Sequence, residues 1–414
     1  MSAKLTRLEK QWVLYDVGNS AFVLLVSTIL PLYFNYLAGQ GGLTSVEYLA
    51  YWGYASSIAT LLVALSGPVI GTFSDIRGMK KPLFAAAMLV GVLGCAALAW
   101  AQQWLLFLVV FVVARFGYAV SLIFYDSMLT DITEPARMDR VSSSGYAWGY
   151  IGSCIPFVAC LGLVLGADAL GLTMERAMAL AFLLTAVWWL CMTLPLLRHF
   201  RQKYYVARSP RAVRASFARL WRTLCGMRQD RQVLYFLLAF FFYIDGVYTI
   251  IDMATAYGAA LGLDSTGLLL ALLVTQIVAC PFSLLFGRLS GRIAPQRLIT
   301  VCICAYTGIA VFALFLQTQV QFWILAVCVG MFQGGIQALS RSYFAKIIPQ
   351  EKSGEYFGLM DICGKGAAFM GTAVVSLLSQ ITGSINCGVG AIAVLFVIGM
   401  ALFRKAVSCG AADP

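Results

Sequence analysis

The stretch GTFSDIRGMKK, residues 71–81, lies between two apolar runs that are each long enough to cross a membrane. Gly71 lets neighbouring helices approach closely, and Gly78 permits a tight turn. Asp75 carries a charge that suits the N-terminus of a neighbouring helix or an arginine. These residues predict a short loop at a membrane surface that joins two spanning helices.

Apolar runs of the same kind recur along all 414 residues, of which 61% are hydrophobic and only 11% are charged. A soluble domain needs far more charge, whereas a helix that spans the hydrocarbon core needs about 20 apolar residues. The sequence therefore predicts an all-α membrane protein with twelve transmembrane helices. We place them at 12–38, 48–74, 82–101, 104–131, 141–166, 175–197, 232–260, 264–289, 297–317, 320–347, 354–381 and 386–404.

Lysine and arginine gather in alternate loops, as they do when every assigned helix crosses the membrane. One side carries both termini and the polar segment 198–231, which holds ten basic residues, whereas the opposite loops hold only Arg176. We therefore expect both termini in the cytoplasm of a multi-pass protein of a bacterial inner membrane. The polar start of the chain predicts that no signal peptide is cleaved. The basic segment lacks the patterning of a nucleic-acid-binding module.

The same segment, 198–231, divides the chain into a six-helix half at 1–197 and a second at 232–414. Within it, Ser209–Met227 is a predicted amphipathic helix on the inner leaflet. The halves share matches in the same order: Gly71 and Ser74 recur as Gly287 and Ser290, Asp126-Ser127 as Arg341-Ser342, and Tyr15-Asp16 as Tyr243 and Asp245. Parallel repeats predict a solute site between two halves that rock around it.

Motifs for ATP hydrolysis, metals and other cofactors are absent from the sequence. Almost all of the 12 cysteines are scattered singly, the one histidine is His199, and no GxxxxGK[ST] loop occurs. These features disfavour a disulfide framework, a metal site, Ser-His catalysis and a P-loop. The remaining enzymatic alternative is an aspartyl dyad from Asp245 and Asp252, seven residues apart on one helix face, which would leave the repeat unexplained.

The stretch from Gly71 to Lys81 resembles the signature of the major facilitator superfamily in the loop between helices two and three. The resemblance implies a latch that closes the cytoplasmic side during alternating access, formed by Gly71, Asp75, Arg77, Gly78, Lys80 and Lys81. The two lysines are expected to anchor the loop to the anionic inner leaflet. Ile76 replaces the basic residue that usually follows the aspartate, and Gly291 stands where the second copy would have Asp75. We expect the second half to lack a latch.

Three further stretches look like the Atg22-like branch of that superfamily, which includes vacuolar amino-acid exporters and many bacterial members. They are WVLYDVGNSAF at 12–22, DGVYTI at 245–250 and GGIQALSRS at 334–342. The resemblance covers essentially the whole chain. It implies transport but does not carry a substrate with it.

Charged residues inside the predicted spans are candidates for substrate or proton binding, because charge inside a membrane is costly and usually faces a cavity or a partner. The candidates, with two polar neighbours, are Asp16, Asn19, Arg115, Asp126, Asp245, Tyr248, Asp252, Asp361 and Lys365. Arg341 stands at the repeat position of Asp126. It is predicted either to pair with Asp126 as a gate between the halves or to make separate structural contacts.

Two further pairings have alternative interpretations. Asp361 and Lys365 are four residues apart on one helix face, so they form either a structural ion pair or part of a binding site. Arg115 lies deep in its helix, where it suits an anionic group of the solute or a salt bridge with Asp16.

We therefore expect a secondary transporter, coupled to protons through one or more of Asp16, Asp126, Asp245 and Asp361, since a carboxylate in a dry cavity binds a proton more readily. The expected substrate is a small zwitterion or anion such as an amino acid, because acidic and basic residues both occur in the spans. The alternatives are a larger solute, such as a cell-wall fragment or a hydrophobic drug, and a sensor or scaffold without flux. We expect a monomer without a cofactor.

Overall fold

The computed structural model describes residues 4–207, 218, 220–223, 225, 226, 229–260, 262–382 and 385–412. These residues are almost entirely helical, and the only strand-like pairing among them is a single bridge between Ile76 and Val206. The predicted amphipathic helix at Ser209–Met227 lies largely outside the described residues.

The described residues form fourteen α-helices, most of them long and apolar. They are α1 (Arg7–Ser27), α2 (Ile29–Gln40), α3 (Ser45–Ser74), α4 (Lys80–Ala97), α5 (Trp104–Ser127), α6 (Leu129–Ile132), α7 (Pro135–Leu165), α8 (Met174–His199), α9 (Arg231–Ala260), α10 (Ser265–Leu289), α11 (Pro295–Ala313), α12 (Gln319–Ile347), α13 (Ser353–Thr382) and α14 (Ile385–Ala412).

Eleven helical stretches of the described residues are long and apolar enough to cross a membrane, the first being α1 and α2 taken together. The remaining predicted span, α13, has 30 residues, and Asp361 and Lys365 interrupt its apolar character. With α13 the bundle has the twelve predicted spans in order. The predicted all-α membrane fold is confirmed.

Two helix boundaries differ clearly from the prediction. The first span breaks at Thr28, because Pro31 has no N–H to donate to the carbonyl four residues earlier. The fifth span begins at Pro135, six residues before the predicted position. Its polar first turns continue the helix because Pro fits the first helical position and because Ser142 and its serine neighbours are buried in the bundle rather than exposed in a loop.

The two halves meet most closely at one end of the bundle, which we call the basic face; the loops at 75–79, 133–134, 290–294 and 348–352 lie there. Across the halves, α3 packs on α13, and α7 packs on α10 and α12. The backbones of α3 and α13 nearly touch, since a Cβ atom on Gly71 would collide with the carbonyl oxygen of Gly354. The structure is therefore closed at the basic face.

Candidate functional site

One arginine links the two halves inside the bundle. Arg341 of α12 places its Nη1 atom 3.0 Å from Oδ1 of Asp126 on α5 and its Nη2 atom 3.4 Å from Oδ2 of Asp16 on α1. The Arg341 side chain is only 4% exposed. One buried guanidinium thus faces two carboxylates of the other half. The pair of Arg341 and Asp126 that the repeat suggested is present, and the ion partner found for Asp16 is Arg341 rather than the alternative, Arg115.

Aromatic rings and a serine hold the Arg341 guanidinium in place. Its Cζ atom lies 4.6 Å from the ring centre of Trp12, 5.5 Å from that of Tyr125 and 4.4 Å from that of Tyr146, which are cation–π distances. Nε donates to Ser142 Oγ at 2.9 Å, and Nη2 donates to the Ser142 carbonyl at 3.1 Å. All four partners belong to the first half, so Arg341 leaves them when the halves separate at this level.

Packing between α1 and α5 builds the pocket that receives Arg341. The Trp12 ring stacks on the Tyr125 ring at 4.3 Å between centres, and Trp12 Nε1 donates to the Tyr125 carbonyl at 3.0 Å. One turn later on α1, Asp16 faces the guanidinium. Asn19, another candidate, donates from Nδ2 to the carbonyl of Tyr15 at 3.0 Å, so its amide is held against its own helix.

A second group of charges lies close to the first. Asp361 and Lys365 form an ion pair on α13, and Lys365 is within electrostatic reach of Arg115 and Asp126 on α5. The Arg115 guanidinium also lies 5.9 Å from the ring centre of Phe111. Charges of both signs from α5 and α13 are therefore gathered in one region.

Tyr248 of α9 joins this region from the second half. It is within electrostatic reach of Tyr118 on α5 and of Tyr146 on α7. Tyr150 of α7, which sequence reasoning missed, accepts a hydrogen bond from Gln337 at 3.4 Å. Tyrosines of both halves thus surround the charges. A polar residue in an apolar run was the only sequence signal for them.

Asp245 is in a different environment from its repeat counterpart, Asp16. It is fully buried between α9 and α13, where Oδ1 accepts from the backbone N–H of Gly371 at 2.9 Å and from the Thr249 hydroxyl at 3.3 Å. Its Oδ2 atom has no hydrogen-bond partner among the described residues. The side chain of Asp252 lies outside the described residues. The two aspartates that the repeat equates therefore differ, one bound to a guanidinium and the other to backbone and hydroxyl.

Asp75 caps the N-terminus of α13. Its carboxylate accepts from the backbone N–H of Gly354 at 2.7 Å and from that of Glu355 at 2.9 Å. A negative charge at this position binds the free N–H groups and matches the helix dipole. Gly71 makes this possible, because its missing side chain lets α13 approach. The contact joins the first half to the second at the basic face.

The loop that carries Asp75 departs from the expected membrane anchor at one lysine. Lys80 is fully buried, with Nζ 2.8 Å from Asp131 Oδ2 and 2.9 Å from Ser353 Oγ. It is not available to a lipid headgroup, because the buried Asp131 takes it inward. Lys81 is partly exposed, and Gly78 has a φ of 77°, which fits the predicted tight turn.

The segment after α8, residues 200–206, pairs with this loop, and sequence reasoning missed it. The Val206 N–H donates to the Asp75 carbonyl at 2.7 Å, and the Arg77 N–H donates to the Val206 carbonyl at 3.2 Å. The backbone N–H groups of Lys203 and Tyr204 donate to Asp131 Oδ1 at 2.8 and 3.0 Å. The Arg77 guanidinium itself lies 5.2 Å from the ring centre of Tyr205. No hydropathy or motif signal marks this segment.

A further contact between the halves also went unpredicted. Asp139 of α7 is 2.6 Å from Lys346 Nζ on α12 and accepts from the Ser342 hydroxyl at 2.7 Å. The sequence marked Lys346 only as a topology signal. Together with Asp75 and Arg341, these residues close the basic face.

Comparison with known families identifies relatives over nearly the whole chain. The profile of the family described as "Vacuole effluxer Atg22 like" matches residues 6–409. The "Uncharacterized MFS-type transporter YxiO" of Bacillus subtilis is 42% identical over 407 residues, which cover 97% of this chain and 95% of that protein. "Autophagy-related protein 22" of Eremothecium gossypii is 23% identical over 397 residues, covering 86% of this chain and 76% of the fungal protein.

Solved structures of similar fold are transporters. The fucose:proton symporter FucP of E. coli superposes with a TM-score of 0.73 at 16% identity and covers 97% of both chains. The human organic anion transporter MFSD10 superposes with a TM-score of 0.72 at 15% identity, covering 96% of this chain and 99% of the other. At these identities the likeness concerns the fold.

Proposed function

This chain belongs to the Atg22-like family of the major facilitator superfamily, and we propose that it is a proton-coupled transporter for a small metabolite carrying an amino and a carboxylate group. It works as a monomer by alternating access. The basic face lies in the cytoplasm of a bacterial cell, with the protein in the inner membrane, because lysine and arginine mark the cytoplasmic side. The closed basic face then corresponds to a state open to the outside.

The observation that carries the proposal is the position of Arg341 between Asp16 and Asp126. Two carboxylates against one guanidinium leave one negative charge in excess in a buried place, where charge is costly without a partner. A proton, or the ammonium group of a substrate, neutralises that excess. Neutralising either carboxylate weakens the hold on Arg341, so that the second half can swing away and open the basic face.

The substrate class follows from the second group of charges. Arg115 is suited to a carboxylate of the solute, because a guanidinium donates two parallel hydrogen bonds. Asp126 and Asp361 offer acceptors for an ammonium group, and Lys365 restrains Asp361. A solute with both charges matches this set better than a neutral drug does. Proton coupling in the fucose:proton symporter of similar fold is compatible with this proposal.

The test has two stages. A screen of metabolites by thermal stabilisation of the purified protein should yield zwitterionic hits, and each hit is then followed by flux in proteoliposomes with and without an imposed pH gradient. We expect accumulation driven by the gradient. Binding without flux would favour the sensor or scaffold instead, and hits confined to cell-wall fragments or hydrophobic drugs would refute the substrate class.

A further inference from the structure

We propose that the basic face holds a separate binding site for a phosphate group. The site is a cavity of about 260 Å³ lined by Gly78, Lys81, Pro82, Phe200, Arg201 and Gln202. It lies outside the central region that contains Arg341. The inference rests on the orientation proposed above, which places the cavity level with the inner leaflet.

The cavity has positive charge without a protein counter-charge. Its two cations, Lys81 and Arg201, make no ion pair with another described residue. The neighbouring carboxylates are occupied, because Asp75 caps α13 and Asp131 pairs with a buried lysine. From residue 198 to residue 229 the sequence contains no aspartate or glutamate. An anion from outside the protein would complete the charge balance.

The walls of the cavity are fixed before any ligand binds. Gln202 Oε1 accepts from the Gly78 N–H at 3.0 Å, and Gln202 Nε2 donates to the carbonyls of Ser74 and Tyr204 at 3.1 and 3.2 Å. These bonds join the segment after α8 to the loop between α3 and α4. The side chains of Lys81 and Arg201 are therefore presented by two separate chain segments that are held together, which lowers the entropy lost on binding.

The size and chemistry of the cavity favour a phosphate-bearing anion. Its volume is below the range of about 300–1,000 Å³ that is typical of pockets for drug-sized ligands, so a headgroup fits better than a large metabolite. Arginine and lysine are the common phosphate-binding side chains. Basic pockets on the cytoplasmic side of membrane proteins bind anionic headgroups. A phospholipid headgroup and a soluble organic phosphate share this chemistry.

The experiment measures binding to the full-length purified protein in neutral detergent by native mass spectrometry. The probes are dioctanoyl phosphatidylglycerol, dioctanoyl phosphatidylcholine and glycerol phosphate. The test variant is Lys81→Gln/Arg201→Gln. The matched control is Arg292→Gln/Arg297→Gln, which removes the same charge from the corresponding connection of the second half. A charge-retaining variant, Lys81→Arg/Arg201→Lys, keeps the proposal testable if the glutamine variant does not fold.

We expect phosphatidylglycerol to bind the parent protein more tightly than phosphatidylcholine. The affinity should fall about 30-fold in the test variant, or about 2 kcal/mol for two cations, and remain near the parent value in the control and the charge-retaining variant. Competition by glycerol phosphate, or its binding alone, supports the site and identifies a soluble phosphate as a ligand. Equal affinities in test and control variants overturn the proposal. No flux is measured, so this failure is distinct from failure of the proposed transport.

Discussion

Arg341 and Asp126 occupy the same position in the two halves, 215 residues apart, and their side chains meet at 3.0 Å. One repeat position thus supplies the guanidinium from the second half and the carboxylate from the first. Because the contact joins both halves near the basic face, it is present only while that face is closed. The chemistry of this pair leads to the first prediction.

Replacing Asp126 by Asn should uncouple transport from protons. Arg341 then faces one carboxylate, Asp16, and the excess negative charge is gone. We expect accumulation of the identified substrate under a pH gradient to fall at least tenfold, toward the equilibrium level, as measured in proteoliposomes. Asp168→Asn, at an exposed position outside the spans, is the matched control. Gradient-driven accumulation at the parent level in Asp126→Asn would contradict the proposed coupling.

Adding a methyl group at Gly71 should open the basic face. In Gly71→Ala the new Cβ meets the carbonyl oxygen of Gly354, so α3 and α13 must move apart. Spin labels at the exposed positions 134 and 351 should report a shift toward longer distances by pulsed electron resonance. Gly39→Ala is the control, because a Cβ atom there meets nothing within 4 Å. Unchanged distance distributions in Gly71→Ala would mean that this crossing does not hold the closed state.

Removing the Lys80 charge should destabilise the protein. Lys80→Met leaves the Asp131 carboxylate buried without its cation, a change that costs about 3–5 kcal/mol in buried pairs. Thermal unfolding in detergent should show a clear drop relative to the parent. Adding Asp131→Asn to Lys80→Met should restore part of the loss, since the unpaired charge is then absent. The control is Lys10→Met at an exposed position; equal losses in Lys10→Met and Lys80→Met would refute the buried-pair argument.

Asp245 should tolerate an amide but not an alkyl side chain. Asp245→Asn keeps an oxygen that can accept from the Gly371 N–H, whereas Asp245→Leu leaves that buried donor without an acceptor, which costs about 1–3 kcal/mol. We expect Asp245→Leu to unfold at a lower temperature than Asp245→Asn. The two variants serve as controls for each other. If both unfold together, the bond to Gly371 does not stabilise α13.

The overall architecture could be predicted from sequence because it depends on averages. Hydrophobicity over about 20 residues is what the bilayer selects, so single errors do not change the helix order. The break at Thr28 and the early start of α7 depend on one proline each and on burial by a distant helix. Local composition does not contain that second kind of information.

The candidate site was predictable where the repeat related two positions, as for Asp126 and Arg341. It was not predictable where partners come from unrelated segments. Lys80 reads as a membrane anchor because its partner, Asp131, is 51 residues away on a short helix. Asp16 and Asp245 match in sequence, yet their neighbours on other helices differ, so equal position did not mean equal environment.

The segment at residues 200–206 is polar in sequence but structurally part of the first half. This matters for dividing the gene into two co-expressed pieces. A cut at residue 197 would remove the backbone donors of Lys203 and Tyr204 from Asp131 and the Val206 pairing from the loop that bears Asp75. A cut after Ala207 would keep all of these bonds within one fragment, which makes it the better junction for reassembling a functional protein from two chains.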